Sequence, residues 1–161
     1  MEVTTIKVNI KTLVTLIAIP LIVGSIASLF TQNSMEQFQT LIKPPLSPPG
    51  IVFPIVWTIL YILMGIASYL ILTSSKSSVN TSSAIRLYFI QLIVNFFWSI
   101  IFFNFNLYFF SFIWLILLWI LILITIIKFY KISKPAAYLM IPYFLWVTFA
   151  GYLNLFIAIQ N

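Results

Sequence analysis

The sequence predicts an all-α protein, a five-helix transmembrane bundle, on three observations. Of its 161 residues 63% are hydrophobic and only 6% are charged, and the apolar residues fall into five runs near bilayer-crossing length. Mean hydropathy is +1.16, outside the range of a water-soluble domain. A hydrocarbon core about 30 Å thick takes a helix of about 20 residues. Lipid offers no partners to backbone N–H and C=O groups, so runs of this kind read as helices.

The first run, 12–30, follows Lys7 and Lys11 and carries Pro20, Gly24 and Ser28. Small residues four apart let helix backbones approach closely in lipid. A cleaved leader ending near Ser25-Ile26-Ala27 is the competing reading. The run is long for a leader, however, and losing it would leave four spans. The second run, 51–72, follows a polar loop, 31–50, that ends in "KPPLSPPG" with Pro44, Pro45, Pro48 and Pro49. Each proline fixes its own φ and biases the preceding residue towards extended backbone, which makes this stretch a stiff strap. It reads either as a lid across the bundle mouth, ordered at reduced entropic cost, or as a rigid start to the next helix.

A Ser/Thr-rich loop, 73–83, leads to the third run, 85–103. "FFNFNLYFF" then turns the chain at Asn104 to Asn106 into the fourth run, 107–129, because two spans of about 20 residues fit better than one of about 45. The basic stretch "KFYKISK" precedes the fifth run, 136–159. The whole chain, 1–161, reads as a single integral membrane domain.

Alternating sides puts Lys7, Lys11, Lys76, Arg86, Lys128, Lys131 and Lys134 on one face and only Lys43 on the other. The positive-inside rule then makes the amino terminus cytoplasmic and places the first loop and carboxyl terminus on the opposite side. The net charge of +6 is thereby read as topology, not as a nucleic-acid surface, so no nucleic-acid partner is expected.

Several chemistries are excluded. There is no cysteine and no histidine, hence no thiolate nucleophile, imidazole base or ordinary transition-metal site. The only acids, Glu2 and Glu36, lie outside the apolar runs, which removes paired-carboxylate hydrolysis and a carboxylate proton relay. No intrinsic cofactor or metal is expected. Regularly spaced arginines and internal repeats are also missing, so neither a voltage sensor nor an inverted-repeat transporter has support.

Aromatic residues make up 18% of the chain. Single Trp and Tyr residues are ordinary interfacial anchors, so their spacing matters more than their number. Trp57 and Tyr61 are four apart; Asn95, Trp98 and Phe102 fall at i, i+3 and i+7; Trp146, Ala150 and Asn154 fall at i, i+4 and i+8. Each set shares one helix face. Asparagine in hydrocarbon is costly unless paired, so these faces turn inward. There they either join helices by hydrogen bonds or line an apolar, aromatic pocket for a flat hydrophobic ligand.

The motifs go further. "PLIVGSIAS", "KPPLSPPGIVFPIVWTILYILMGIASYL", "QLIVNFFWSIIFFN", "LLWILILITIIKFYKISKPAAYLMIPY" and "PYFLWVTFAGYLNLFI" occur in order over nearly the whole chain. Together they resemble the TspO/MBR family, the translocator or tryptophan-rich sensory proteins, also called peripheral-type benzodiazepine receptors. The resemblance implies a homodimeric five-helix bundle in a prokaryotic plasma membrane, its pocket roofed by the first loop. It also implies binding of protoporphyrin IX or a related tetrapyrrole, drug-like ligands and, in some members, sterols. Carried over by motif, the ligand-binding positions are Trp57, Tyr61, Asn95, Trp98, Phe102, Trp146, Phe149 and Ala150. Trp57 and Trp146 would also be the residues of a light-dependent porphyrin breakdown, the enzymatic alternative to a receptor or sensor, with transport a third class.

Departures from the family pattern narrow this. Leu46 stands where a loop tryptophan is common, and Pro54-Ile55 replaces Gly-Pro before the second-helix tryptophan. No proline follows Ser99, and the tail "LNLFIAIQN" lacks the sterol motif. Sterol binding is therefore not expected.

Overall fold

The computed structural model describes residues 8–75 and 78–161. Lys7 and Lys76 lie outside the described residues. Helix α1 (Ile10–Thr31) starts where the Asn9 Oδ1 accepts a hydrogen bond from the Thr12 N–H at 3.2 Å, a side-chain cap for an otherwise unpaired helix-start donor. A 3₁₀ turn (Gln32–Ser34) and the short α2 (Met35–Thr40) follow. Then come α3 (Val52–Leu72), α4 (Ser78–Phe103), α5 (Tyr108–Ile132) and α6 (Lys134–Gln160). The long five, α1 and α3 to α6, are each long and apolar enough to cross a membrane. The fold is an all-α transmembrane bundle.

Two boundaries differ from the sequence reading. Helix α4 begins at Ser78, ahead of the expected 85, because a helix needs continuous backbone hydrogen bonds, not continuous apolar side chains, and Val79 to Ser83 continue the coil beyond the apolar run. The first connection is not one irregular loop: helix resumes at Met35–Thr40, so only residues 41–51 lack it. The expected turn at Asn104 to Asn106 is present. Asn106 takes φ 54° there, a left-handed conformation that asparagine adopts more readily than most residues.

The spans close into a ring in the order α1, α3, α6, α5, α4 and back to α1. Met64, Ile71, Leu118, Ile122, Phe129 and Met140 fill its axis, all with no exposed surface. Ile22, Ile59, Ile93, Ile120 and Leu145 point outward, as suits helices surrounded by lipid. Lipid tails are as apolar as leucine, so close packing and polar pairs hold such helices together. Gly65 supplies one such contact: a Cβ there would overlap the Ile17 Cα and lie 2.7 Å from the Leu16 carbonyl oxygen. The α1 and α3 backbones therefore touch at this level.

Each end of the bundle is tied by its own bonds. At one end the Asn9 N–H donates to the Tyr69 hydroxyl at 3.0 Å, and the Lys128 Nζ donates to the Ser83 Oγ at 2.6 Å. At the other, Asn104 Nδ2 donates to the Phe30 carbonyl at 3.0 Å and Asn106 Nδ2 to Gln37 Oε1 at 3.3 Å. The first connection, the Asn turn and the carboxyl-terminal end of α6 thus share one end of the molecule.

Candidate ligand cavity

A cavity of about 710 Å³ occupies the loop end, walled by α1, α3, α4 and α6 and roofed by Phe38, Ser47 and Gly50. That volume lies within the range of pockets that bury most of a drug-sized ligand. Its lining includes no Asp, Glu, Lys or Arg.

Helix α3 contributes Trp57 and Tyr61, one turn apart, their rings stacked with centroids 5.4 Å apart at 28°. Helix α4 contributes Trp98 and Phe102, 5.7 Å apart at 30°. The Trp98 indole is fixed from behind. Its Nε1 donates to the Asn154 Oδ1 at 3.1 Å; that oxygen also lies 3.1 Å from the Ser111 Oγ, whose hydroxyl has the Tyr108 carbonyl at 2.8 Å, while the Asn154 Nδ2 donates to the same Tyr108 carbonyl at 2.8 Å. Three helices thus converge on one buried amide, which holds the ring plane towards the cavity. Ala150 from α6 completes the wall opposite.

Helix α1 presents Gly24, Ala27 and Ser28. A Cβ on Gly24 would overlap the Tyr61 ring, so the glycine lets that ring lie flat against α1. Above this contact the seam widens. Ser25, Ser28 and Leu29 on α1 and Pro54 and Thr58 on α3 line the cavity yet are exposed, so the cavity opens between these helices. The Ser25 and Thr58 hydroxyls donate to the Leu21 and Pro54 carbonyls of their own helices, each at 2.8 Å, which leaves neither hydroxyl proton facing lipid unpaired.

Of the residues expected from the sequence, Trp57, Tyr61, Trp98, Phe102 and Ala150 come together on the cavity. Asn95 lies behind its floor, buried, with its Nδ2 donating to the Tyr61 hydroxyl at 3.4 Å. Trp146 and Phe149 are not among the lining residues. Trp146 stands edge-on behind Phe53, centroids 5.9 Å apart, and Phe149 stacks at 6.1 Å on Tyr152, which is exposed. The reason is helical register: each step of four residues overshoots a turn by about 40°, so Trp146 and Asn154 point about 80° apart.

The strap turns at Pro44, whose carbonyl accepts from the Ser47 N–H at 2.9 Å, with Pro45 at the turn position that suits its fixed φ. A second turn closes from the Val52 N–H to the Pro49 carbonyl at 2.9 Å. Pro44, Pro45, Pro48 and Pro49 shape this backbone but do not line the cavity, which meets Ser47 and Gly50 instead. Asn161 clamps the strap to α6, accepting from the Ile42 N–H at 3.0 Å and donating to its carbonyl at 3.2 Å. The Lys43 Nζ sits 4.6 Å from the centre of the Phe38 ring, a cation-π contact.

The sequence reading did not assign Gly24, Ala27, Ser28, Phe38 or Asn154 to the site. The small residues of α1 were visible as a packing stripe, and Asn154 as an inward amide. Phe38 gave no signal, because its position follows from the short helix α2.

A model of the TspO/MBR family matches residues 16–160. The chain is 40% identical over 154 residues to the tryptophan-rich protein TspO of Chlorobaculum tepidum, covering 95% of this chain and 98% of that one. It is 36% identical over 154 residues to the TspO of Archaeoglobus fulgidus, covering 95% and 99%, and 31% identical over 141 residues to the translocator protein of Bos taurus, covering 84% and 82%. With its five apolar helices it is a multi-pass integral membrane protein, and it belongs to the TspO/MBR family.

Proposed function

We propose that the protein is a membrane receptor or sensor that binds tetrapyrroles such as protoporphyrin IX, and similar flat hydrophobic molecules, in the cavity at the loop end. The observation that carries this reading is the pair of aromatic walls, Trp57 with Tyr61 and Trp98 with Phe102, around about 710 Å³ of uncharged space. Flat rings bind such walls by offset stacking and apolar burial, and hydrogen-bonding groups at the rim orient the polar edge. Lys43, beside Phe38 at the roof, is the one basic residue at this end among the described residues and suits an acidic substituent on the ligand.

Lys11, Arg86, Lys128, Lys131 and Lys134 belong to the opposite end of the bundle. The positive-inside rule makes that end cytoplasmic, so that the cavity opens towards the other leaflet of a prokaryotic plasma membrane. The family resemblance brings with it a homodimer, which a detergent-corrected mass measurement tests. Light-dependent breakdown of a bound porphyrin would draw on Trp57 at the wall; Trp146 stands behind Phe53, and this favours binding over turnover as the primary reading.

The test is a dark titration of the purified protein in detergent with protoporphyrin IX, followed by tryptophan fluorescence quenching. Saturable one-site quenching is expected. Quenching that rises linearly with ligand, and equally with empty micelles plus free tryptophan, would overturn the reading.

A further inference from the structure

Below the cavity the interior of α4 changes character. Thr81, Tyr88, Gln91 and Asn95 fall on one helix face, and Tyr88, Gln91 and Asn95 are each at most 2% exposed. Asn95 closes the cavity floor through Tyr61. Gln91 accepts from the Tyr143 hydroxyl at 2.8 Å, and the Tyr143 ring in turn packs edge-on against Trp57 at 6.1 Å. Thr81 lies in the first turns of α4, two residues before Ser83, the partner of Lys128 at the basic end.

This face also holds the buried side-chain polar atoms that lack a protein partner among the described residues: Thr81 Oγ1, Tyr88 OH and Gln91 Nε2. Tyr88 lies beside Ser68 of α3, whose hydroxyl proton goes to the Gly65 carbonyl at 2.8 Å. A buried amide or hydroxyl without a partner is costly, more so where the surroundings are lipid. Three such atoms scattered over the bundle would be three local faults. Along one helix face, between the cavity floor and the basic end, they form a series.

We propose that this face of α4 binds a chain of internal water molecules that connects the cavity floor to the basic end of the bundle. A buried water needs two to four polar partners, and here Gln91 Nε2, Tyr88 OH, Ser68 Oγ and Thr81 Oγ1 supply them. Gln91 is the positioning residue: its oxygen is taken by Tyr143, so its amide N–H groups are free to hold a water in place. Such a chain hydrates the cavity floor at Asn95 and Tyr61 from the basic end, without passing the strap. The inference concerns the bundle itself and holds whichever ligand fills the cavity.

The test is magnetisation transfer from water to side-chain amides in the ligand-free full chain, labelled with ¹⁵N-glutamine and reconstituted in phosphatidylcholine/phosphatidylglycerol bilayers for solid-state NMR. Gln91, assigned by the resonance missing in Gln91→Met, is expected to receive water magnetisation about as fast as the exposed Gln37 and Gln39. Tyr88→Phe and Thr81→Val should each slow that transfer at least threefold, with Gln37 unchanged. The proposal is overturned if Gln91 in the wild-type protein receives no water magnetisation on the timescale of its exposed counterparts. It is equally overturned if Asn95→Leu, and neither of the other two variants, slows the transfer, since the water would then come from the cavity and no chain would reach the basic end.

Discussion

Gly24 and Gly65 lie on the two helices of one seam and teach different things about it. Gly65 meets backbone, the Ile17 Cα and the Leu16 carbonyl, whereas Gly24 meets the Tyr61 ring. Backbone in a packed helix pair cannot give way, but a ring beside a cavity can turn. The basic half of the seam is therefore built for contact, and the loop half, with exposed Ser25, Ser28 and Thr58 lining open space, is built to leave room. One helix pair serves as a joint at one level and as a cavity wall at the other.

The contrast is broken most directly at Gly65. Gly65→Ala drives a methyl group into α1 and is expected to cost about 3 kcal/mol, the upper end for overpacking, read as a lowered thermal midpoint in detergent; a midpoint unchanged from wild type would mean that α1 and α3 do not touch there. Asn154→Leu comes next. It removes the acceptor of the Trp98 Nε1, while the Ser111 hydroxyl keeps the Tyr108 carbonyl at 2.8 Å, so the one buried donor left unpaired should cost about 2 kcal/mol, and ligand binding should also weaken, because the Trp98 plane is released.

Gly24→Ala should act on affinity where Gly65→Ala acts on stability. It turns the Tyr61 ring into the cavity, so affinity for protoporphyrin IX falls about tenfold, or about 1.4 kcal/mol, while the thermal midpoint moves less than in Gly65→Ala. Equal effects of the two alanines on stability would erase the distinction between the halves. The smallest effect is expected from Asn161→Ala, which frees Ile42 from its two bonds at the exposed strap. It should change stability by about 0.5 kcal/mol and show mainly as faster ligand dissociation in stopped-flow quenching.

Much of this was legible in the sequence, for identifiable reasons. Spanning helices announce themselves because lipid forces both composition and length, so all five apolar runs became helices. The start of α4 was not legible, since Val79 to Ser83 are helical for backbone reasons that no apolar pattern records. Inward faces were legible wherever an amide marked them, as Asn95 and Asn154 do, and the Trp57 and Tyr61 pair followed from a single turn of spacing. Trp146 shows where spacing fails: over eight residues the helix rotates away from the marked face, and a ring placed by pattern lands behind Phe53. The role of Gly24 was hidden because a small residue that admits a neighbouring helix and one that makes room for a ring look alike in sequence.

The central claim, that the two aromatic walls at the loop end form the ligand site, rests on Trp57 facing the cavity while Trp146 does not. The most direct measurement is the dissociation constant for protoporphyrin IX, in the dark, of Trp57→Leu and Trp146→Leu side by side, with both variants shown to be folded by their thermal midpoints. The account predicts about tenfold weaker binding for Trp57→Leu and a change of less than about twofold for Trp146→Leu. Equal losses in both variants, or a loss in Trp146→Leu alone, would contradict it.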